Sequence, residues 1–287
     1  MKGFTNIGNT CYLNSGLQML MQNIDLCNLI IKYSNESKSL KMIADFIEMY
    51  YDGNHNTLIP KQIKMIVEQK QNMFMGYNQH DAAEFVIFLL DIIDEEIKKC
   101  QKEQNIEITG IDNIFRIETN IRIKCKMLVC LQINQHTEYN NYLLLDIKND
   151  FKTLDDCYRY SKIGEKLIDD NMYNCSNCKI KTVASKRSNI IKWPSNLIIC
   201  LKRFSQINNR YMKNNQQIII PLNWRHNYKL YGAVIHSGSL NGGHYTYIGL
   251  QNDRWYHFND SHVSEIRIND VIHNINNAYL LYYKMIH

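Results

Sequence analysis

The sequence has 287 residues, of which 45% are hydrophobic and 21% are charged, as in ordinary globular proteins. Its net charge of +5 is too small, and its Lys and Arg residues too scattered, to indicate a nucleic-acid or membrane partner. No apolar run approaches the roughly 20 residues that span a bilayer, and residues 1–6 lack the apolar stretch of a signal peptide. We therefore predict an intracellular monomer, located in the cytoplasm, the nucleus or both, that binds neither nucleic acid nor membrane.

The first third of the chain has the apolar spacing of helices, which we predict over residues 12–24, 40–51, 60–69 and 81–99. After about residue 112 the apolar period changes to two. We predict strands over residues 117–124, 142–147, 196–204, 218–222, 230–236, 245–249, 255–258 and 278–283. Helices followed by strands favour an α+β fold with a mostly antiparallel sheet. No repeat, proline-rich linker or long run of one charge divides the chain, so we expect a single domain over residues 1–287.

The nine cysteines form an odd set without the even framework of a secreted disulfide scaffold. In a reducing compartment, thiols act as nucleophiles, metal ligands or core residues. Each cysteine therefore needs its own interpretation.

Cys11 stands at the start of the first predicted helix, in the stretch GFTNIGNTCYLNS of residues 3–15. Unpaired main-chain N–H groups and the positive end of the helix dipole favour a thiolate there. The same N–H groups can hold an oxyanion, and the Asn6 amide is a candidate second donor. Position alone is equally consistent with a small buried cysteine.

The stretch resembles the cysteine box of the ubiquitin-specific protease family, Gly-Leu-x-Asn-x-Gly-Asn-Thr-Cys-Tyr-Met-Asn-Ser. Phe4 replaces Leu, and Leu13 replaces Met. By this resemblance, Cys11 is the nucleophile and Asn6 supplies the oxyanion-hole amide.

A cysteine nucleophile needs a histidine base and a third group that orients the imidazole. His244 follows the flexible loop Asn241-Gly242-Gly243, which lets a substrate backbone pass close by, and it begins a predicted strand. A two-residue turn at residues 251–252 would place His244 opposite Asn259. A turn one position later would place it opposite Ser261.

Residues 243–245, GHY, and 255–263, WYHFNDSHV, resemble the histidine box of the same family. The resemblance favours the turn at residues 251–252 and hence Asn259 as the orienting residue of a Cys-His-Asn triad, with Asp260 as a supporting polar residue. We expect no chemical role for the other histidines near this box: His236, His257 and His262.

Residues 76–85, GYNQHDAAEF, resemble the family's Gln-Gln-Asp-x-x-Glu-Phe box. Asp81 as N-cap with Glu84 three residues later is also a capping box in front of an apolar helix. By the resemblance, both carboxylates pair with arginines of the ubiquitin tail. The substrate-binding residues implied are Gln79, Asp81, Glu84, Gly243 and Tyr245.

The segment Cys175-Ser176-Asn177-Cys178 is a CxxC knuckle, a spacing that suits two thiolates of a tetrahedral zinc site. The family often carries a second knuckle in a β-ribbon, and its place here holds Cys125 and Cys130 with a longer spacing. The resemblance favours a structural zinc on these four cysteines, with Cys130 as a buried strand residue as the alternative. No cofactor is expected for catalysis.

The resemblance covers essentially the whole chain and implies a papain-like fold. Its parts would be a helical thumb (about residues 1–111), β-ribbon fingers (about 112–185) and an antiparallel-sheet palm (about 186–287). It also implies a deubiquitinase that hydrolyses the amide after the C-terminal Gly-Gly of ubiquitin through a thioester at Cys11. The partners implied are ubiquitin and ubiquitinated proteins.

Two alternatives remain open. One is a non-catalytic ubiquitin-binding module, which would be expected to lack Cys11 or His244, although both are present. The other is a protease of the same fold that acts on another ubiquitin-like modifier.

Overall fold

Helices occupy most of the first 115 residues. The computed structural model describes residues 1–54, 56–130, 132–207, 210–239 and 242–286, so Asn241 of the predicted flexible loop lies outside the described residues. The α-helices in these ranges are α1 (Cys11–Met21), α2 (Ile24–Lys32), α3 (Lys38–Tyr51), α4 (Lys61–Lys70), α5 (Ala82–Glu103), α6 (Asp112–Phe115), α7 (Leu154–Ser161) and α8 (Ile268–Ile275). Short 3-10 helices cover Asn72–Phe74 and Asp169–Asn171. Within the described ranges, no helix has both the length and the apolar character needed to cross a membrane.

Strands dominate the rest of the chain. They are β1 (Gly3–Phe4), β2 (Thr57–Leu58), β3 (Ile117–Cys125), β4 (Ile133–Asn140), β5 (Leu143–Asp146), β6 (Glu165–Leu167), β7 (Tyr173–Asn174), β8 (Lys181–Thr182), β9 (Ala184–Lys192), β10 (Asn196–Lys202), β11 (Phe204–Ile207), β12 (Arg210–Lys213), β13 (Asn223–Trp224), β14 (Tyr228–Ser239), β15 (Gly242–Gln251), β16 (Arg254–Asn259), β17 (His262–Ile266) and β18 (Ala278–Met285). The central sheet has the order β17-β16-β15-β14-β18-β10-β5, with β13 beside β14. All its pairs are antiparallel except β10 with β5.

The central sheet is covered on both faces. Along β10, Ile198 and Cys200 point into one hydrophobic core, whereas Leu197, Ile199 and Leu201 point into another. The first core joins the sheet to helices α1 to α6, and the second joins it to α7 and α8. Burial on both sides explains why residues 197–201 are continuously apolar instead of alternating.

A separate finger sheet, with the order β4-β3-β9-β6, extends from the central sheet and is mostly exposed. The small ribbon of β7 and β8 lies near its end, where the hydrophobic cluster is made of three buried cysteines, Cys125, Cys130 and Cys175. The predicted change from helices to an antiparallel sheet, and hence the α+β fold, is confirmed.

Two of the predicted helices and strands need correction. The helix predicted over residues 12–24 is two helices, because Asn23 acts as the N-cap of α2 and accepts a hydrogen bond from Leu26 N. Residues 218–222 do not form a strand, and only Ile219 makes an isolated bridge. Ile218 and Ile220 are buried while Ile219 is exposed, so the segment alternates like a strand although its N–H groups bond to loops.

Candidate active site

Cys11 is the first residue of α1, and its buried side chain lines a cleft between α5 and strands β14 and β15. Burial raises the pKa of the Cys11 thiol above its ordinary value. The main-chain N–H of Tyr245 and those of the first turn of α1 offset only part of this effect. The predicted preference for a thiolate is therefore outweighed by burial, and Cys11 needs a base.

His244 lies near the start of β15, directly before Tyr245, whose main chain lies against the thiol of Cys11. Gly242 and Gly243, which were predicted as part of a flexible loop, already belong to β15 and pair with β14, so the strand begins before His244. Its Nε2 atom is 2.6 Å from Asn259 Oδ1. A carboxamide oxygen only accepts hydrogen bonds, so Nε2 carries the proton and Nδ1 keeps a free lone pair. Nδ1 is thus the nitrogen that can take a proton from Cys11.

The contact between His244 and Asn259 arises in a different register from the one predicted. Gln251 faces Arg254, so the hairpin turn is residues 252–253, one position later than predicted. Both turn residues have positive φ, 49° and 59°, as a type I′ turn requires. Asn259 is therefore a diagonal neighbour of His244, a separation that long side chains can bridge. The predicted side-chain contact is present, but the predicted register is wrong.

Asp260 connects the strand of the histidine box to the segment around Cys11. Its Oδ2 accepts a hydrogen bond from Asn6 Nδ2 at 2.9 Å, and its Oδ1 accepts one from Asn14 Nδ2 at 2.7 Å. Its main-chain oxygen accepts from Phe4 N at 2.8 Å. Sequence reasoning left the role of Asp260 open and missed Asn14, although Asn14 lies one helical turn after Cys11.

Asn6 is held so that one N–H group stays available. Its Oδ1 accepts hydrogen bonds from Gly8 N and Thr10 N, both at 3.1 Å. Of the two hydrogens on Nδ2, one serves Asp260 and the other has no partner among the described residues. This second N–H and the main-chain N–H of Cys11 can together bind an oxyanion.

The cleft in front of Cys11, named here the Cys11 cleft, has a volume of about 290 Å³. All residues predicted to bind substrate line it, namely Gln79, Asp81, Glu84, Gly243 and Tyr245. Three residues that sequence reasoning did not assign also line it, namely His80, Phe204 and His236.

Gly243 is enclosed from two sides in this cleft. Gln79 accepts a hydrogen bond from Gly243 N at 3.4 Å and donates one to Gly243 O at 3.3 Å. On the other side, a Cβ atom added to Gly243 would stand only 2.0 Å from His236 Nε2. His236 is 9% exposed, and burial lowers its pKa to about 4, so its ring is neutral. Although no chemical role was predicted for His236, its ring narrows the cleft.

Asp81 and Glu84 occupy different environments at the start of α5. Asp81 Oδ1 caps the helix by accepting from Ala83 N at 2.7 Å and Glu84 N at 3.0 Å, while Oδ2 accepts from Tyr279 OH at 2.7 Å. Glu84 is exposed, and within the described residues it makes neither an ion pair nor the reciprocal bond of the predicted capping box. Burial raises the pKa of Asp81, and burial together with the Asp81 charge raises that of Glu84.

The four cysteines predicted as metal ligands come together at the end of the finger sheet. The sulfur atoms of Cys125, Cys130, Cys175 and Cys178 all lie within 4.8 Å of one another. Two of the separations are 4.0 Å, between Cys125 and Cys178, and 3.7 Å, between Cys130 and Cys175. A tetrahedral zinc with Zn–S bonds of about 2.3 Å requires sulfurs about 3.8 Å apart, so the set fits such an ion.

Comparison with known proteins gives a consistent result. Residues 2–283 match a family model described as ubiquitin carboxyl-terminal hydrolase. Among similar proteins are ubiquitin carboxyl-terminal hydrolase 4 of Saccharomyces cerevisiae (strain YJM789), 26% identical over 372 residues, and ubiquitin carboxyl-terminal hydrolase 2 of Bos taurus, 27% identical over 335 residues. Each alignment covers 99% of this chain, but only 39% of the yeast protein and 55% of the bovine protein.

The fold is similar to that of solved structures of Ubp8 in the SAGA DUB module with Sgf11, Sus1 and Sgf73. A chain of the complex bound to monoubiquitin aligns with a TM-score of 0.81 at 25% identity, and the alignment covers 100% of this chain and 69% of that chain. A chain of the complex bound to ubiquitin aldehyde aligns with a TM-score of 0.77 at 24% identity, and the alignment covers 100% of this chain and 70% of that chain. This likeness shows the fold alone.

Proposed function

Because this chain belongs to the ubiquitin carboxyl-terminal hydrolase family, we propose that it is a thiol-dependent deubiquitinase. It would hydrolyse the amide after the C-terminal Gly-Gly of ubiquitin on conjugated proteins or chains. One observation carries the proposal: Asn259 orients His244 through its Nε2 atom, and the main chain of the next residue, Tyr245, lies against the buried thiol of Cys11.

The first half of the reaction forms a thioester. His244 Nδ1 takes the proton of the Cys11 thiol, and the sulfur attacks the carbonyl carbon of the last glycine. The oxygen that becomes negative receives hydrogen bonds from Cys11 N and Asn6 Nδ2. The imidazolium then gives its proton to the leaving amine as the C–N bond breaks.

The second half restores the enzyme. His244 Nδ1 takes a proton from a water molecule, whose oxygen attacks the thioester carbonyl. The C–S bond breaks, the ubiquitin C-terminus leaves as a carboxylic acid that loses its proton to solvent, and the proton on His244 returns to the Cys11 sulfur. Asp260 acts in both halves as a positioning residue, since it holds Asn6 in place.

The Cys11 cleft has properties that suit a Gly-Gly tail. His236 and Gln79 contact Gly243 from two sides within the cleft, which leaves little room there for substrate side chains and would favour glycines. Glu84 is exposed in the cleft and can pair with an arginine of the tail. Asp81 supports Glu84 indirectly, because it fixes the first turn of α5.

We propose further that Cys125, Cys130, Cys175 and Cys178 hold a structural zinc. This proposal rests on the distances among their sulfur atoms. The ion would join β3 and the following loop to the segment between β7 and β8, where the described residues offer little other hydrophobic core. It would take no part in the reaction, which needs no cofactor in the mechanism above.

The decisive experiment uses probes with an electrophile at the C-terminus of ubiquitin or of a ubiquitin-like modifier. We expect the ubiquitin probe to form a covalent adduct at Cys11, identified by mass spectrometry, and Cys11→Ala to abolish the adduct while retaining ubiquitin binding. A reaction with another modifier's probe alone would replace ubiquitin as substrate. Failure to react with any probe, together with ubiquitin binding, would favour a non-catalytic binding module.

A further inference from the structure

The end of the finger sheet carries apolar side chains that project into solvent. Leu128 is 100% exposed and Val129 is 93% exposed, and both lie in the loop between β3 and β4. Three further apolar side chains at this end are also exposed, namely Met127 (44%), Ile180 (55%) and Val183 (43%). We refer to these five residues as the finger tip.

Main-chain contacts hold the two segments of the finger tip together. Lys126 N, directly before Met127, donates a hydrogen bond of 2.9 Å to Val183 O. In the second segment, Cys175 N donates one of 3.1 Å to Ile180 O. Each segment also contributes two cysteines to the cluster whose sulfur atoms lie within 4.8 Å of one another. The apolar residues of both segments therefore lie at the same end of the protein.

The same two segments are strongly basic. Residues 122–134 and 173–187 contain seven Lys and Arg residues and no Asp or Glu, although the whole chain has a net charge of only +5. Four lysines lie next to the finger tip along the chain, and all are exposed: Lys124, Lys126, Lys179 and Lys181. None of the four is ion-paired to a residue that the structure describes. The negative charge of a zinc ion with four thiolates would offset only part of this positive charge.

The combination of aliphatic side chains and lysines limits what can bind here. A fully exposed leucine projects from the surface, so its partner must enclose it. A nucleic acid would pair with the lysines, but aliphatic side chains do not offer the rings on which bases stack. The interface of an anionic bilayer suits both features, because the acyl chains take up aliphatic groups and the lipid headgroups attract lysines.

We propose that the finger tip inserts into the surface of a membrane that contains anionic phospholipids. Leu128 and Val129 enter the boundary between headgroups and acyl chains, and the four lysines lie at the level of the headgroups. The sequence-based expectation of no membrane partner considered the net charge of the whole chain, whereas the fold concentrates positive charge at one end. The inference goes beyond the proposed function, since it would hold the enzyme at a membrane surface.

The test measures cosedimentation of the purified chain with lipid vesicles. We expect binding to vesicles of phosphatidylcholine mixed with phosphatidylserine. Binding to phosphatidylcholine alone should be weaker by at least about tenfold, because each lysine near an anionic surface contributes about fivefold. A higher salt concentration should weaken binding, since the lysines are exposed. A wild type that does not bind the anionic vesicles would overturn the inference.

Two double variants separate insertion from charge attraction. Leu128→Ser with Val129→Ser should weaken binding to the anionic vesicles by about tenfold or more, because the aliphatic surface is lost. Lys126→Gln with Lys179→Gln should weaken it by a similar factor. If only the lysine variant binds more weakly, the contact is electrostatic, as with a nucleic acid, and membrane insertion is wrong.

Matched controls change the same residue types away from the finger tip. Ile59→Ser removes an aliphatic side chain that is 61% exposed, just before α4. Lys99→Gln with Lys102→Gln lowers the net charge by the same amount on α5. Both should bind vesicles like the wild type. An equal loss of binding in these controls would contradict a specific role of the finger tip.

Two further measurements identify what the finger tip contacts. Leu128→Trp should shift its fluorescence to shorter wavelength when anionic vesicles are added, and an unshifted spectrum would contradict insertion. Cleavage of ubiquitin linked to aminocoumarin (ubiquitin–aminocoumarin), measured without vesicles, should be unchanged in Leu128→Ser with Val129→Ser, because neither residue lines the Cys11 cleft. A raised KM in that variant would show that the finger tip binds ubiquitin instead of a membrane.

Discussion

The chemistry at the scale of single residues depends on which nitrogen of His244 carries a proton. Asn259 fixes that proton on Nε2, so Nδ1 is free to act on Cys11. Burial keeps Cys11 in the thiol form before substrate arrives, since it raises the thiol pKa. In the proposed mechanism, Cys11 therefore gives its proton to His244 as the sulfur attacks the carbonyl carbon.

Gly243 provides the most specific test at this scale. A methyl group at position 243 would collide with His236 Nε2, so Gly243→Ala should displace the ring or the strand at a cost of about 1–3 kcal/mol. We expect kcat/KM toward ubiquitin–aminocoumarin to fall by about tenfold or more, since the shift occurs beside His244.

Gly242→Ala is the matched control, because nothing lies within 4 Å of a Cβ at Gly242. It should keep nearly full activity. The double variant Gly243→Ala/His236→Ala should recover part of the loss, because the smaller side chain makes room for the methyl group. If the double variant is no better than Gly243→Ala alone, the collision with the His236 ring is not the cause, and the main-chain oxygen of Ser237, 2.8 Å from the added Cβ, remains.

At the scale of elements, the N-terminus of α5 has one carboxylate that caps the helix and another that is open to the cleft. Both Asp81 oxygens already have partners in the protein, whereas Glu84 is exposed in the cleft. The sequence pattern assigned the same two roles to both residues. The structure divides them, with Asp81 as cap and Glu84 as the carboxylate that is accessible to a ligand.

We therefore expect the two amide variants to differ. Glu84→Gln should lower kcat/KM for ubiquitin by about tenfold or more, because a charge-assisted contact is lost, while stability changes little. Asp81→Ala should cost about 1 kcal/mol of stability, with kcat/KM per folded molecule reduced much less, and Asp81→Asn should be milder still. Thermal unfolding and steady-state kinetics of the purified variants check this. Equal kinetic losses in Glu84→Gln and Asp81→Asn would contradict the division.

The raised pKa of Glu84 predicts a pH dependence. A carboxyl group with a raised pKa loses its charge at a higher pH as the solution is acidified, so KM for ubiquitin should rise earlier than for an ordinary glutamate. In Asp81→Asn the neighbouring charge is absent, and the rise should move to lower pH. Glu84→Gln has no group to titrate and should lack the rise; its presence there would exclude Glu84 as the source.

The finger sheet depends on its cysteine cluster, because within the described residues the core at its end consists of cysteines and tyrosine. Elemental analysis should find about one zinc per chain. Cys125→Ser should lose the metal and lower the unfolding temperature, whereas Cys100→Ser, a buried cysteine outside the cluster, should keep the metal. A well-folded wild type purified without metal would refute the zinc site.

At the scale of the whole molecule, one sheet belongs to both hydrophobic cores. Alternate residues of β10 enter opposite cores, so neither core can open without disrupting a strand that the other needs. Cys11 stands on the helical side of this sheet and His244 on the sheet itself. Their relative position therefore depends on the packing of both layers.

This arrangement predicts that the chain unfolds as one unit, as the single-domain prediction requires. The tryptophans Trp193, Trp224 and Trp255 all belong to the second core, whereas most helices pack in the first. Thermal transitions followed by tryptophan fluorescence and by far-UV circular dichroism should therefore coincide. Separate midpoints would show that the two layers are independent folding units.

Sequence alone predicted roles for Cys11, His244, Asn259 and the four clustered cysteines, because motifs are recognised from residue type and spacing, which are local properties. Local patterns also gave the α+β fold, through apolar periods of helix and strand. Local patterns failed where one pattern is compatible with two structures. Helical spacing continues across the break between α1 and α2 at Asn23, and residues 218–222 alternate like a strand without forming one.

Tertiary structure decided the features that depend on packing between distant segments. Asp260 reaches Asn6 and Asn14 across 254 and 246 positions of sequence, and no local signal specifies such a contact. The hairpin register followed from positive φ angles at residues 252–253, and the raised thiol pKa of Cys11 followed from burial under the sheet. Desolvation and long-range hydrogen bonds depend on what surrounds a group in space, which the order of residues alone does not give.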